Sequence, residues 1–424
     1  MIIFGLQQIR AMYALQSTFM LGFSYQLLQV LIRIFPDRRG DARESIFNSN
    51  MITMPSKRLR IAQVSPLYES VPPMLYGGTE RVVSYLTEAL VELGHEVTLF
   101  ASGDSVTNAR LVPCCPTSLR LNPGCVDQIA HHFVMLDRVL EQAQRGEFDI
   151  VHFHIDYFHF PISRAYQLPQ VTTLHGRLDL PDLPPLYRRF PEMPVISISK
   201  SQREPLSLAN WVGNVYHGLP ENSLKFGDGS GKYLAFLGRI CPEKRVDRAI
   251  EISLKAGLPL KIAAKVDRAD RDYFETEIKQ LLKLPGIEYI GEIGEDQKTD
   301  FLGNASALLF PVDWPEPFGL AMIEAMACGT PTLGFRRGSV PEVLSPGVTG
   351  IIANNMSEAM GSMQDLLAMD RVTVRRGFEA RFTASRMARE YISLYHSILQ
   401  AREAPDQTAS ALLTAPELET PLTF

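Results

Sequence analysis

The sequence predicts an α/β fold built from two parallel-sheet domains in series. Two observations lead there. Short, apolar, β-branched runs alternate with amphipathic helical ones, which implies crossover connections and a parallel sheet covered on both faces. The alternation breaks once, between residues 219 and 232, and then begins afresh.

The first domain, residues 55–218, opens with "RLRIAQVSP" as a buried strand. After a Gly-rich loop, "TERVVSYLTEALVELGHE" sets Val82, Val83, Leu86, Ala89, Leu90 and Leu93 on one helical face, and Gly94 supplies the stop. "EVTLFAS", "FDIVHFH", "VTTLHG", "PVISIS" and "GNVYHG" are the strands that follow. Residues 219–232, "LPENSLKFGDGSGK", carry Gly and Pro breaks without periodicity and read as a linker. The second domain, residues 233–382, has strands at "YLAFLG", "LKIAAKV", "IEYIGEI", "ALLFP" and "PTLGF". Between them lie helices at "VDRAIEISLKAG", "RDYFETEIKQLL", "DQKTDFLGNA" and "GLAMIEAMACG". An amphipathic helix over 383–400 follows, and residues 401–424 read as a polar, flexible tail.

The bulk numbers fit this division. A chain of 424 residues, 46% hydrophobic and 21% charged, is long enough for two cores. Its net charge of −5 argues against a nucleic-acid partner, whose phosphates call for massed Lys and Arg. The five cysteines include no C-x-x-C pair, so neither a disulfide framework nor a zinc knuckle is indicated, and a reducing, cytoplasmic setting fits. Residues 1–54 stand apart. Residues 11–32 carry no charge between Arg10 and Arg33 and are long enough to cross a bilayer, though Gln16, Gln26 and Gln29 dilute them. Three readings stay open: sequence upstream of a true start at Met51 or Met54, a membrane-surface or spanning helix, and a docked helix. Peripheral association with the inner face of the membrane is the partner the second reading implies.

Open parallel sheets bind ligands beyond the C-terminal ends of their strands, so chemistry is sought in the loops there. Gly77 and Gly78 follow the first strand and precede the first helix, where glycine lets backbone N–H groups approach an anion; a turn needing positive φ is the plain alternative. No G-x-G-x-x-G fingerprint occupies this loop, "GDGSG" precedes a strand instead of a helix, and no P-loop is present. Arg239 and Lys244, in "GRICPEKRV", can converge on one polyanion, the alternative being a solvated surface loop. In "WPEPFGLAMIEAMACGTP", Pro315 and Pro317 hold Glu316 in a loop, and a helix begins near Gly319. The N–H groups of its first turn, from Phe318 through Gly319 and Leu320 to Ala321, suit an anion or an oxygen-rich ligand. Glu324 sits one to two turns in, so Glu316 and Glu324 read as hydroxyl-gripping acceptors flanking a phosphate-binding helix start. The pair His152 and His154 at the end of "HFH" could bind metal, but no third ligand is evident. "DRD" at 270–272 imitates a metal motif and is better placed for helix capping.

These stretches together resemble the retaining glycosyltransferases of family 4, or group 1, which have the GT-B fold. "EPFGLAMIEAMACGTP" followed by "GSVPEV" and "GVTG" resembles the family's donor-binding signature. "GGTERVV" is similar to its first glycine loop, "GRICPEKRVDRAI" to its diphosphate Arg and Lys, "TLHG" to its mid-domain histidine motif, and "FTASRMAREYISLY" to its closing helix. The likeness runs in order over about residues 57–400. It implies two Rossmann-like domains facing across a cleft, with the last helix crossing back to the first. It further implies that Arg239 and Lys244 hold a donor diphosphate, that Glu316 with the amides of Phe318 and Gly319 holds the sugar, and that Glu324 holds the ribose. His175 would stand beside the reacting end of the sugar, and Gly78 near the phosphates and acceptor. His217 departs from the pattern, standing where Asn is common. The implied reaction moves a sugar, with retention, from a nucleotide-diphosphate sugar to a hydroxyl of a carbohydrate, lipid-linked or small-molecule acceptor. No cofactor or metal is implied beyond that co-substrate. A nucleotide-sugar epimerase and a non-catalytic sugar-nucleotide-binding protein are the competing functions.

Overall fold

The computed structural model describes residues 58–120 and 122–403, so the expectations for residues 1–57 and for the tail beyond 403 lie outside the described residues. Among the described residues no helix is long and apolar enough to cross a membrane.

The first sheet has seven strands: β1 (Arg60–Val64), β2 (Glu96–Ser102), β3 (Arg110–Cys115), β4 (Ile150–Phe153), β5 (Gln170–Thr173), β6 (Pro194–Ser197) and β7 (Asn210–Asn214). They lie in the order β3-β2-β1-β4-β5-β6-β7, every pair parallel. Six more strands form the second sheet: β8 (Leu234–Arg239), β9 (Leu260–Lys265), β10 (Ile287–Gly291), β11 (Ala307–Phe310), β12 (Thr332–Phe335) and β13 (Gly350–Ala353). Their order is β10-β9-β8-β11-β12-β13, again parallel throughout. Strand order reverses between β1 and β4 in one sheet and between β8 and β11 in the other, and such switch points open a crevice at the strand ends. Gly77, Lys244 and Glu316 lie in the loops after β1, β8 and β11, and Arg239 ends β8 itself.

The helices include α1 (Gly78–Glu92), α2 (Gln128–Gln144), α3 (Val246–Ala256), α4 (Glu295–Gly303), α5 (Leu320–Ala327), α6 (Arg371–Arg381) and α7 (Ala384–Glu403), of which α1, α4 and α5 border the cavity between the two sheets. Along α1, Val82, Leu86, Ala89 and Leu90 are buried as the periodicity requires, whereas Leu93, at the C-cap, is exposed. The terminal helix α7 crosses back and packs Met387, Tyr391 and Tyr395 against Val82, Leu86 and Leu90 of α1, so it shares the first domain's core.

Several local expectations change. β3 and β13 were not anticipated: β3 contains Pro113 and β13 is four residues long, and both are edge strands, where proline and brevity are tolerated. The last strand of the first sheet is Asn210–Asn214, so "VYHG" leaves the sheet and carries His217 toward the cleft. "RDYFETEIKQLL" is no continuous helix; a single α turn, a π turn over Phe274–Ile278 and a 3₁₀ turn replace it. Ile278 is buried in the core of the second domain and Phe274 packs against that core. Residues 219–232 are pinned: Leu224 is buried, Arg371 donates to the carbonyl of Gly227 at 2.8 Å, and Arg375 donates to those of Leu224 at 3.0 Å and Glu221 at 2.7 Å.

Candidate functional site

Gly77, Gly78, His175, His217, Arg239, Lys244, Glu316, the amides from Phe318 to Ala321 and Glu324 border one cavity of about 400 Å³ between the two sheets, whereas His152, His154 and Asp270–Asp272 do not line it. Gly77 forms the N-cap of α1 at a φ of 170°, so the positive-φ alternative fails; its glycine is required because a Cβ would stand 2.7 Å from the Cβ of Pro73. Gly78 faces Leu320 across the cleft, with open space beyond.

The loop that carries Glu316 is built by contacts from three directions. Ser339 donates its amide to the Glu316 carbonyl at 2.9 Å and its hydroxyl to the Phe318 carbonyl at 2.8 Å. Gly338 lies so close that a Cβ would come within 2.3 Å of the Glu316 nitrogen, and its φ of 51° adds a second demand for glycine. From the first domain, Ser199 donates to the Pro317 carbonyl at 2.7 Å, and Glu342 accepts the amides of Lys200 and Ser201 at 2.7 Å each. Gly319 then takes the left-handed conformation, φ 83°, as the N-cap of α5, and the first-turn N–H groups of that helix open onto the cavity.

Both glutamates are clasped by lysines. Glu316, 7% exposed, pairs with Lys244 and accepts the Trp314 indole N–H at 2.8 Å. Burial works against the Lys244 charge, but the Glu316 carboxylate, together with Tyr76 and Cys241, offsets it and holds the ammonium above its ordinary pKa. Glu324 accepts from Lys298 at 2.6 Å, and Lys298 also pairs with Glu295 at 3.0 Å. Glu295 in turn meets Arg81 and accepts the Tyr85 hydroxyl at 3.0 Å, both from α1, so this cluster ties α4 and α5 to the first domain. A glycosidase acid or nucleophile needs a carboxylate free to protonate or attack; these two are held as ion-pair acceptors.

Arg239 reaches the same cavity from the end of β8. Asp267 at 3.3 Å and Asp270 at 3.5 Å steady its guanidinium, and Asp270 makes no side-chain capping bond. The capping expectation for "DRD" is therefore corrected: its first aspartate serves the arginine. Sequence reasoning missed Lys265, Lys298, Arg81 and Trp314. Lys265 ends β9, pairs with Asp267 at 2.9 Å and sits 3.9 Å from the centre of the Tyr76 ring. Arg81 lies within "GGTERVV" and Trp314 opens "WPEPFGLAMIEAMACGTP", but no spacing marks either, and Lys265 and Lys298 stand outside the motifs; the packing of the two domains brings the four together.

His152 and His154 do share a face, with ring centres 4.1 Å apart, but their nitrogens are engaged elsewhere. His152 bonds Tyr395 and Thr173, and His154 bonds His175 and Gln63, all at 2.8 Å. A metal would have to displace these partners. His217, 3% exposed, stacks on His175 at 5.3 Å and meets the edge of Phe318 at 4.7 Å. Burial lowers the pKa of all four, that of His175 to about 3, so all are neutral in the folded chain. Their ordinary value near 6.5 applies when unfolded. The unfolded state therefore gains protons first as pH falls below ~6.5, and stability is lost by up to ~1.4 kcal/mol per pH unit for each histidine. Urea midpoints are expected to hold between pH 7 and 8 and to fall steeply from pH 6 to 4; a flat profile would contradict the neutral cluster.

The match to known proteins follows the same two halves. Residues 76–204 match the model of "Glycosyltransferase Family 4" and residues 224–371 that of "Glycosyl transferases group 1". The N-acetyl-alpha-D-glucosaminyl L-malate synthase of Bacillus anthracis is 26% identical over 378 residues, 76% of this chain and 95% of that protein. The phosphatidyl-myo-inositol mannosyltransferase of Propionibacterium freudenreichii is 23% identical over 373 residues, covering 80% and 94%. Among solved structures, a glycosyltransferase of avilamycin A biosynthesis superposes with a TM-score of 0.61 at 21% identity, covering 81% of this chain and 98% of that one. HepE of Anabaena, in complex with UDP-glucose, superposes at 0.62 with 14% identity, covering 80% and 100%. Two Rossmann-like parallel domains of the GT-B kind, joined around a cleft and matched half by half, make the chain a member of the group 1, family 4 glycosyltransferases.

Proposed function

We propose that the chain transfers a sugar, with retention, from a nucleoside diphosphate sugar to an acceptor hydroxyl, without a metal. The observation that carries this reading is the convergence of Arg239, Lys244 and the N-terminus of α5 on one cavity beside Glu316. Breaking a glycosyl–phosphate bond leaves negative charge on the diphosphate, and cations and N–H dipoles already in place stabilise it as it grows. Glu316, fixed by Lys244 and Trp314, accepts from the sugar hydroxyls, and Glu324 accepts from the ribose beside Lys298. His175 stands at the reacting end of the sugar, and Gly78 leaves room for the acceptor on the face of the leaving group. Retention is supported by the state of the carboxylates: with both glutamates held in ion pairs, attack from the leaving-group face, with a phosphate oxygen taking the acceptor's proton, needs no protein nucleophile. The five free cysteines suit a cytoplasmic setting, and the acceptor is a carbohydrate, a lipid-linked sugar or a small molecule.

Thermal-shift screening against UDP-, GDP- and ADP-sugars tests the donor. A donor at ~100 times its Kd should stabilise the chain by about 2.7 kcal/mol. Turnover with the donor so identified should persist in EDTA, and the anomeric configuration of the product, read by NMR, should match that of the donor. Loss in EDTA with recovery on adding Mg²⁺ or Mn²⁺ would overturn the metal-free reading.

A further inference from the structure

His175 has one ring nitrogen, Nδ1, that is buried without a partner among the described residues and belongs to a residue on the cavity wall. What it presents to a ligand is decided behind it. Gln63, fully buried on β1, donates its side-chain nitrogen to the Tyr395 hydroxyl of α7 at 3.2 Å and turns its oxygen toward His154 Nε2 at 2.8 Å. An amide oxygen only accepts, so His154 carries its proton on Nε2. His154 is neutral, its Nδ1 is therefore bare, and the partner at 2.8 Å, His175 Nε2, must donate to it. Neutral His175 has then spent its single proton, and Nδ1 holds only a lone pair.

We propose that Gln63, acting through His154, locks His175 as the Nε2–H tautomer, so that its bare Nδ1 accepts a hydrogen bond from a hydroxyl of the donor sugar. Gln63 and His154 are positioning residues. The idea rests on the donor reading above and refines it. A lone pair at this point favours a hydroxyl and disfavours a phosphate oxygen, so it biases the donor to lie with its sugar, not its diphosphate, against His175. His217 stacks on the ring and hinders its rotation. Because Tyr395 lies on α7, the crossover helix takes part in setting the tautomer.

Nitrogen-15 NMR of the full-length chain labelled at its histidine rings tests the lock, with His175→Asn identifying the signals. Nδ1 of His175 is expected to be of the unprotonated type and Nε2 of the protonated type. In Gln63→Leu, His154 Nε2 loses its acceptor, so its proton should move to Nδ1 and force His175 into the opposite tautomer. Turnover of the donor with water as acceptor should then fall about tenfold, with KM changed by less than about twofold, on the scale of one hydrogen bond. In a His175→Ala background the same substitution should cost nothing further. A protonated Nδ1 in the wild-type chain would overturn the proposal, as would equal losses in both backgrounds. Should Gln63→Leu fail to fold, the wild-type spectrum still decides. Failure of every nucleoside diphosphate sugar to turn over would overturn the donor reading, and the sugar contact with it, while the ring nitrogens would report separately on the lock.

Discussion

Lys244→Ala is expected to lower kcat by roughly 100-fold or more, the scale of losing one preorganised donor to charge that develops in the transition state. Arg239→Ala should do the same, but the two should part on stability. Arg239 is a third exposed, as is its partner Asp267, and its contact with the more buried Asp270 is a loose 3.5 Å, so its loss should move the melting temperature less than loss of Lys244 does. Removing Lys244 strands the buried Glu316 carboxylate on the Trp314 indole alone, which should cost about 1–3 kcal/mol. Lys244→Arg should not rescue turnover, because a planar fork cannot replace a compact ammonium between a carboxylate and two aromatic rings. Kinetics at saturating donor alongside urea denaturation checks both halves. Wild-type kcat in either alanine variant would remove these cations from the reaction.

Lys298→Met should be the most destabilising change at the site. It leaves Glu324, with a side chain only 5% exposed, without its cation, and breaking a buried pair from one side costs about 3 kcal/mol or more. Converting both partners, Lys298→Met with Glu324→Leu, should recover much of that stability, because the stranded charge is gone. Donor KM should stay high in the double variant if Glu324 is the ribose acceptor proposed above, since that acceptor is still missing. Calorimetry and donor titration separate the two effects. If the double variant recovers donor affinity together with stability, Glu324 is a structural partner of Lys298 and no ribose ligand.

The two sheets, the first helix and the loops that hold Gly77, Arg239 and Glu316 were legible in the sequence because each rests on local physics. Periodicity of 3.6 marks α1, unbroken apolar runs mark the central strands, and Pro315 and Pro317 mark a loop before a helix. Edge strands escaped for the converse reason: β3 is partly exposed and interrupted by Pro113, and β13 has four residues, too few for a run to stand out. The break in the helical stretch after β9 could not be read because no Gly or Pro marks it between Arg271 and Leu282.

The sequence by itself determined which residues lie at strand ends, and hence which could meet a ligand, because strand-end position follows from the order of local elements. Only the tertiary structure decided what state those residues are in. Lys244 is near Glu316 in space but 72 positions away in the chain, Lys298 meets Glu324 across 26, and Gln63 reaches His154 across 91. Charge pairing, burial and tautomer depend on distance through space, and at such separations that distance is set by how two sheets and a crossover helix pack, which no spacing along the chain encodes.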